Sequence, residues 1–434
     1  AIANKKYTLM ITVDCGISGI NEVKLANDLN IETIITDHHE PLDELPSAYA
    51  IIDAKRKDNT YPFRGLAGVG VVFKLIQAIS IKLHLDEKEY LKYLDIVCIG
   101  TISDIVPLVD ENRVIAKLGL MLVKQTKNIG LKTLVKETGY KNIDSGMVSF
   151  GIAPRINASG RMGKQEEALR LFLTTDLKEA ETITNNLNEY NLERQKIEKN
   201  IFEQAISQIE KENISDLNSI VLAGENWHHG VIGIVASRIT EKFFKPTILI
   251  CIEGKEGKGS GRSIPGFDLH EALVKSAGYL KKYGGHEMAV GLSLDKNQFE
   301  GFKKYFEEIA KEKNVKSIIP VINIDCEITK KDLNKSTIEQ MQLLEPYGEK
   351  NKPPLIVYKN IKIASIRTLL EGKHLKISLR DGNEIINAIG FNLGELADEF
   401  LIGDKVDLVG TLELNCYGGV ENIQINIRDM MKSV

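Results

Sequence analysis

Two short apolar runs near the N-terminus set the pattern of the chain. Leu9-Met10-Ile11-Thr12-Val13 ends on Asp14-Cys15-Gly16, and Thr33-Ile34-Ile35-Thr36 ends on Asp37-His38-His39-Glu40. Between them, about Ile20 to Leu29 has helical spacing. The pattern predicts strand, helix, strand, with polar groups at the carboxyl ends of both strands. Parallel sheets bind ligands at that edge, so Asp14 and Asp37-His38-His39 are expected in one crevice. Leu94 to Ser103 is another apolar run, it ends on Asp104, and it is expected to bring a third acid to the same edge. Ile51-Ile52-Asp53 begins a further strand. Gly65 to Val71 is a glycine-rich turn entering a helix that reaches about Leu83. No Gly-Lys-Ser/Thr follows it, so it is not a Walker loop. Tight helix packing explains it better than a phosphate cradle.

Further on, Asn112 to Glu137 reads as helical. Phe150 to Gly163 reads as a Gly/Pro/Ser/Asn-rich loop carrying Arg155, Asn157 and Arg161. Arginine presents a planar fork that suits phosphate; salt bridges to the strand-end acids are the alternative. Leu177 to Glu212 lacks Gly and Pro and has an apolar stripe, which predicts a long connecting helix. Strands at Ile220–Ala223 and Pro246–Ile252, with His228-His229 in a loop entering a helix, predict a second α/β domain. It also contains Gly259-Ser260-Gly261-Arg262-Ser263, Asp268 as a helix N-cap, and Gly284-Gly285-His286. His228-His229 has no acid cluster beside it, and Trp227 reads as packing. After the Pro/Gly-rich loop Glu345–Pro354, short alternating strands predict a small β-barrel. Lys373, His374, Lys376, Arg380 and Tyr417 are its candidate contacts to nucleic acid, and a solvated face explains the charges equally well. The expected domains are residues 1–120, a helical connector 121–213, 214–313, and the barrel 318–434.

Composition narrows this little. With 434 residues, a formal charge of −4 and 27% charged residues, the chain has no overall basic signature. Any nucleic-acid contact must come from a local cationic groove. The 5 cysteines are scattered, with no Cys-x-x-Cys, which fits reduced thiols and a cytoplasmic protein. No stretch is long and apolar enough to span a membrane.

Carboxylate with imidazole suits Mn²⁺, Zn²⁺ or Fe²⁺, and oxygen-rich sites suit Mg²⁺ or Mn²⁺. Asp14, His38 and Asp104 are the candidate metal ligands, leaving positions open for substrate. The segments Val13-Asp14-Cys15-Gly16, Asp37-His38-His39, Gly68-Val69-Gly70-Val71-Val72-Phe73-Lys74-Leu75 and Ser103-Asp104-Ile105-Val106-Pro107-Leu108 resemble successive motifs of the DHH phosphoesterases. Within them the resemblance is to the RecJ family of single-strand-specific exonucleases, and it runs through almost the whole chain. It implies a parallel-sheet DHH domain, a second α/β domain of DHHA1 type and an OB-type barrel. It implies a Mn²⁺- or Mg²⁺-dependent nuclease with Asp14, His38, His39 and Asp104 catalytic, acting 5′ to 3′ on single-stranded nucleic acid, DNA rather than RNA, as a monomer. Arg155, Asn157, Arg161, Ser260, Arg262, Ser263, Gly284, Gly285 and His286 would bind the strand, with His286, Arg262 and Ser263 facing it across a cleft from the metal. The family opens on an Asp-x-Asp-Gly motif that does not occur before Asp14. The DHH domain is therefore expected to be N-terminally incomplete, with an exposed sheet edge and one weakly held metal. The rival readings are an oligonucleotide or cyclic-dinucleotide phosphodiesterase, and a catalytically impaired nucleic-acid-binding fragment.

Overall fold

The structure, a computed structural model, describes residues 5–417 and 420–433, without the side chains of Ser215, Cys416, Tyr417 and Val420. Tyr417, a candidate stacking residue, thus lies outside the described side chains. The chain divides into two compact units: Ala1–Thr126 with Lys141–Ser149 and Ile322–Val434, and Lys127–Tyr140 with Phe150–Val321.

The first unit opens with β1 (Leu9–Val13), α1 (Ile20–Asp28), β2 (Glu32–Thr36) and β3 (Ala50–Ile52). They form a parallel sheet in the order β1-β2-β3. Ile35, Thr33 and Thr36 make β2 the buried centre. β1 is an edge, and its Leu9, Ile11 and Val13 are each about half exposed. Asp14, Asp37 and Asp53 directly follow β1, β2 and β3, so three acids stand at the carboxyl edge.

Helices α2 (Gly68–Lys82), α3 (Lys88–Leu91), α4 (Leu94–Ser103) and α5 (Asp110–Val123) follow. Leu94–Ser103 is a helix, not a strand, and Asp104 is its C-cap. A run with seven of its ten residues buried has no exposed polar face from which to read a period, and ten residues is helix length. The acid reaches the site all the same.

The second unit contains α6 (Ile129–Thr138), α7 (Ala153–Arg161), α8 (Gln165–Leu173) and the long α9 (Leu177–Lys211). Residues expected as a loop around Arg155 and Arg161 are helical. A π-turn over Met147–Ile152 leads into α7, and Pro154 sits in its first turn, where a missing N–H costs nothing. Next come β4 (Ile220–Gly224), α10 (His229–Phe243), β5 (Thr247–Glu253), β6 (Glu256–Arg262), α11 (Leu269–Lys275), β7 (Lys282–His286), β8 (Ala289–Asp295) and α12 (Phe299–Glu312). The sheet order is β4-β5-β6-β8-β7. One core packs Ile201, Ala205, Val231, Val235 and Leu249. The other packs Ile248, Ile250, Leu292, Phe302 and Phe306. Asp268 caps α11 by accepting from the Glu271 N–H, as its sequence position predicts.

The C-terminal part of the first unit comprises β9 (Cys326–Ile328), α13 (Lys335–Gln342), β10 (Ile356–Leu369), β11 (His374–Asp381), β12 (Glu384–Gly390), β13 (Lys405–Tyr417) and β14 (Val420–Lys432). β11-β12-β14-β13-β10 closes through β10–β11 into a five-stranded barrel, with β9 added beside β10. The Pro/Gly-rich loop clasps the chain just after Asp104. The Leu108 N–H donates to the Glu349 carbonyl (2.8 Å), and Arg113 Nη2 donates to the Leu344 carbonyl (3.0 Å).

Candidate metal centre and anion site

Asp14 follows β1 in a left-handed backbone conformation (φ 62°), and its N–H donates to the Thr36 carbonyl (2.9 Å). The turn thus ties β1 to β2 and aims the Asp14 carboxylate at His38. His38 Nε2 lies 3.1 Å from Asp14 Oδ1 and 3.5 Å from Asp104 Oδ2. The hydrogen bond to Asp14, then the charges of Asp104 and Asp14, hold the His38 imidazole above its ordinary range against the opposing effect of burial. Burial pushes the Asp104 carboxyl up, while His38 draws it down.

Asp37, absent from the sequence-derived site residues, organises the corner. It is 1% exposed. Its Oδ2 accepts from the Ile17 N–H (2.9 Å), and its Oδ1 from the His38 N–H (2.8 Å). His39 Nδ1 lies 2.7 Å from the same Oδ1. Burial works to raise this carboxyl, but those donors together hold it below the usual range. With Nδ1 engaged, His39 has its Nε2 left for a ligand, the arrangement in which a carboxylate orients a metal-binding imidazole. The signal was present in the sequence: an acid ending a buried strand next to two histidines.

Ligand atoms of Asp14, His38 and His39 all lie within 4.8 Å of one another. Two imidazoles, this carboxylate and the nearby Asp104 form a mixed N/O donor set that fits Mn²⁺ and related ions. Gly68 makes the corner possible. A Cβ there would meet Asp14 Oδ1 at 2.1 Å, so the glycine-rich turn serves close packing against a site carboxylate. Beside Asp104, exposed Ile105 is held at φ 57°, a costly conformation for a β-branched residue.

In the second unit, Arg161 and Arg262 share one neighbourhood. Arg161 Nη1 donates to the Gly230 carbonyl (2.7 Å) at the start of α10. Arg262 Nη1 donates to the Gly261 carbonyl (2.8 Å) and to Ser260 Oγ (3.2 Å). Burial, followed by the Arg161 charge, lowers the Arg262 guanidinium from its ordinary range; burial, followed by Arg194, does the same to Arg161. The Arg161 charge reaches Arg262, and arginine matches a phosphate's geometry, which makes the two a candidate anion site. Gly233 on α10, which the sequence reading passed over, leaves room: a Cβ there would meet Ser260 Oγ at 2.9 Å and Arg262 Nη2 at 3.2 Å.

The other sequence-derived binding residues are placed differently. Arg155 is committed to its own unit, donating from Nε to Asn188 Oδ1 (2.5 Å) and from Nη1 to the Gly151 carbonyl (2.5 Å). Ser263 is buried, and its hydroxyl donates to the Phe267 carbonyl (2.6 Å). Asn157 is exposed on α7. Gly284, Gly285 and His286 lie on β7, which is exposed throughout. Gly285 takes φ 137°, where a Cβ would meet the Ala289 carbonyl oxygen at 2.3 Å. Trp227 is buried and donates from Nε1 to Gln204 Oε1 (2.9 Å), in keeping with a packing role.

Comparison with known proteins bears on this layout. Residues 1–101 match the model of the DHH family N-terminal domain, 216–312 that of the DHHA1 domain, and 324–429 that of the RecJ OB domain. The chain is 31% identical to a single-stranded-DNA-specific exonuclease RecJ of Dickeya dadantii, covering 99% of this chain and 78% of that protein. It belongs to the RecJ family. The RecJ of Bacillus subtilis is 37% identical over 99% of the chain, but the chain spans 54% of that relative's length. The crystal structure of Thermus thermophilus RecJ in complex with Mn²⁺ superposes on this RecJ-family chain with a TM-score of 0.87 at 32% identity, covering 100% of this chain and 63% of that one. The DHH, DHHA1 and OB parts expected from sequence are thereby present. Among the described residues no helix is long and apolar enough to cross a membrane.

Proposed function

We propose that this chain carries the working parts of a metal-dependent exonuclease that hydrolyses single-stranded DNA to mononucleotides, 5′ to 3′, in repair and recombination. The observation that carries the reading is the cluster of Asp14, His38 and His39 donor atoms within 4.8 Å, with Asp104 beside it. Asp14, His38 and Asp104 would hold Mn²⁺ or Mg²⁺. Such an ion acts as a Lewis acid on a phosphoryl oxygen and eases deprotonation of water. His39, oriented by Asp37, would present Nε2 to the attacking water or the scissile phosphate. Arg161 and Arg262, with Ser260, would hold backbone phosphates, and exposed His286 on its glycine-flanked strand would add a further contact. The RecJ relatives are named for single-stranded DNA, and their solved structures contain Mn²⁺ or Mg²⁺. The barrel supports the same substrate, because OB folds bind single strands through cationic grooves and stacking; a dinucleotide substrate needs no such second surface. The free thiols of Cys15, Cys98, Cys251 and Cys326 fit a reducing cytoplasm, and a monomer suffices for these parts.

The test is incubation of the chain with 5′-labelled single-stranded DNA, in Mn²⁺ and in EDTA, following binding and cleavage together. Mn²⁺-dependent release of mononucleotides is expected. Tight binding with no cleavage would leave a nucleic-acid-binding fragment, and neither binding nor cleavage by a folded chain would end the nuclease reading.

A further inference from the structure

The end of α4 is strained. Its C-cap is Asp104, and the next residue, Ile105, takes φ 57°. The left-handed position after a helix usually goes to glycine, as it does at Gly139 after α6 (φ 70°). Of the non-glycine residues with positive φ among the described residues, Ile105 is the only β-branched one. Its Cβ crowds the backbone there. Burial does not offset this strain, because Ile105 is 72% exposed. The chain holds it from both sides. Its N–H donates to the Ile102 carbonyl (3.2 Å). Beyond it, Asn112 Nδ2 donates to the Pro107 carbonyl (3.0 Å), and the N–H of buried Leu108 donates to the Glu349 carbonyl (2.8 Å). Strain fixed in this way clusters where a protein binds or reacts.

Ile105 borders the metal corner. It follows Asp104, whose Oδ2 lies 3.5 Å from His38 Nε2, and consecutive Cα atoms are about 3.8 Å apart. A phosphate held at that corner carries a nucleoside on each side. The sugar is rimmed with oxygens, whereas every base offers a flat face for packing. Ile105 offers a branched apolar side chain with no donor, acceptor or charge. We propose that Ile105 packs against the face of a base beside the scissile phosphate and so sets the end of the strand over the metal ligands. Such a contact reads no hydrogen-bond pattern, so it accepts all four bases alike. It rests on the nuclease reading, which brings the 5′ end of a single strand to the metal.

The test is rapid mixing of the full chain, in Mn²⁺, with 5′-phosphorylated single strands, which separates binding from cleavage. One strand is oligo(dT), and the other is the same strand with its first two nucleotides abasic. Ile105→Gly is expected to bind oligo(dT) about fivefold more weakly than the unaltered chain does. It should bind the abasic-ended strand as the unaltered chain does, because the contact is already missing there. Glycine relieves the strain, so the unfolding midpoint should hold or rise. Ile105→Val keeps an apolar branch and should bind oligo(dT) as the unaltered chain does. Equal loss with both strands, no loss with either, a lower midpoint in Ile105→Gly, or the full loss in Ile105→Val would each overturn the proposal. Cleavage by the unaltered chain, with both strands treated alike by Ile105→Gly, ends the contact alone. A base-dependent loss in a chain that binds without cleaving supports the contact and ends the nuclease reading. Neither binding nor cleavage by a folded unaltered chain ends both.

Discussion

His38-His39 and His228-His229 are the same dipeptide, each a few residues beyond a strand of an α/β sheet, and they are built for different work. The His38 and His39 rings sit 4.6 Å apart and 58° out of plane, with three acids around them. The His228 and His229 rings stack at 5.3 Å and 10°. His228 Nδ1 accepts from the Gly230 N–H (3.1 Å) and so caps α10, while His229 has one carboxylate at 3.8 Å, that of Glu253. Adjacent histidines alone therefore say little. What marks the first pair is a buried acid that fixes the orientation of one ring, and further acids delivered to the other.

Breaking that difference at its strongest point should have the largest effect. Asp14→Ala removes the carboxylate nearest His38, and Mn²⁺ binding and Mn²⁺-dependent cleavage should both disappear while single-strand binding persists. Retained Mn²⁺-dependent cleavage would sink the site assignment. Gly68→Ala is the finer probe. Its methyl group would sit on Asp14 Oδ1, so the carboxylate must swing away; Mn²⁺ affinity should drop at least tenfold with the fold intact by circular dichroism. The pH dependence has a definite sign. Because Asp14 first, then Asp104, holds the His38 imidazolium above its ordinary range, protons compete with the metal at a higher pH than they would at a free imidazole. Mn²⁺ affinity should therefore rise with pH through and beyond that range.

How far these parts could be read from sequence depended on whether the pattern had two faces. The barrel strands were legible because their length and alternation agree with their burial, as in Glu384–Gly390, where alternate residues are buried. Leu94–Ser103 was not, since seven of its ten residues are buried and no polar face reveals a period. The Arg155–Arg161 segment was misread as a loop because Gly, Pro, Ser and Asn signal breaks, yet Pro154 at a helix start continues one. At the site, the sequence supplied Asp14, His38, His39 and Asp104 and carried the Asp37 signal as an acid beside two histidines, but it did not show how close Gly68 comes to Asp14 or which donors Asp37 gathers. Those are facts of approach distance, which no local pattern encodes.

A second contrast separates the two arginines of α7. Both were read as phosphate ligands. Arg161 stands under burial beside other cations and near Arg262, whereas Arg155 spends its fork on Asn188 and the Gly151 carbonyl. Arg262→Ala should weaken single-strand binding and lower the salt slope by about 1. Arg155→Ala should leave that slope alone and lower the melting temperature, at a cost of about 2 kcal/mol for the lost charged hydrogen bonds. A reduced salt slope in Arg155→Ala would return it to the phosphate contacts.

The smallest effect belongs to the second histidine pair. His228 satisfies one of the donors that every helix start leaves unpaired, and Asn at the same position offers an acceptor of similar reach. His228→Ala should cost about 1 kcal/mol of stability, read as a lower unfolding midpoint, and His228→Asn should recover most of it. Neither change touches the acids around His38, so Mn²⁺ affinity should stay at the value of the unaltered chain. If His228→Ala lowered Mn²⁺ affinity while His228→Asn restored only stability, the imidazole itself would be taking part, and the distinction drawn between the two pairs would fail. Recovery of both together would instead trace the loss to the α10 start, whose Gly230 carbonyl holds Arg161. The cap would then act through the shape of the anion site rather than through metal.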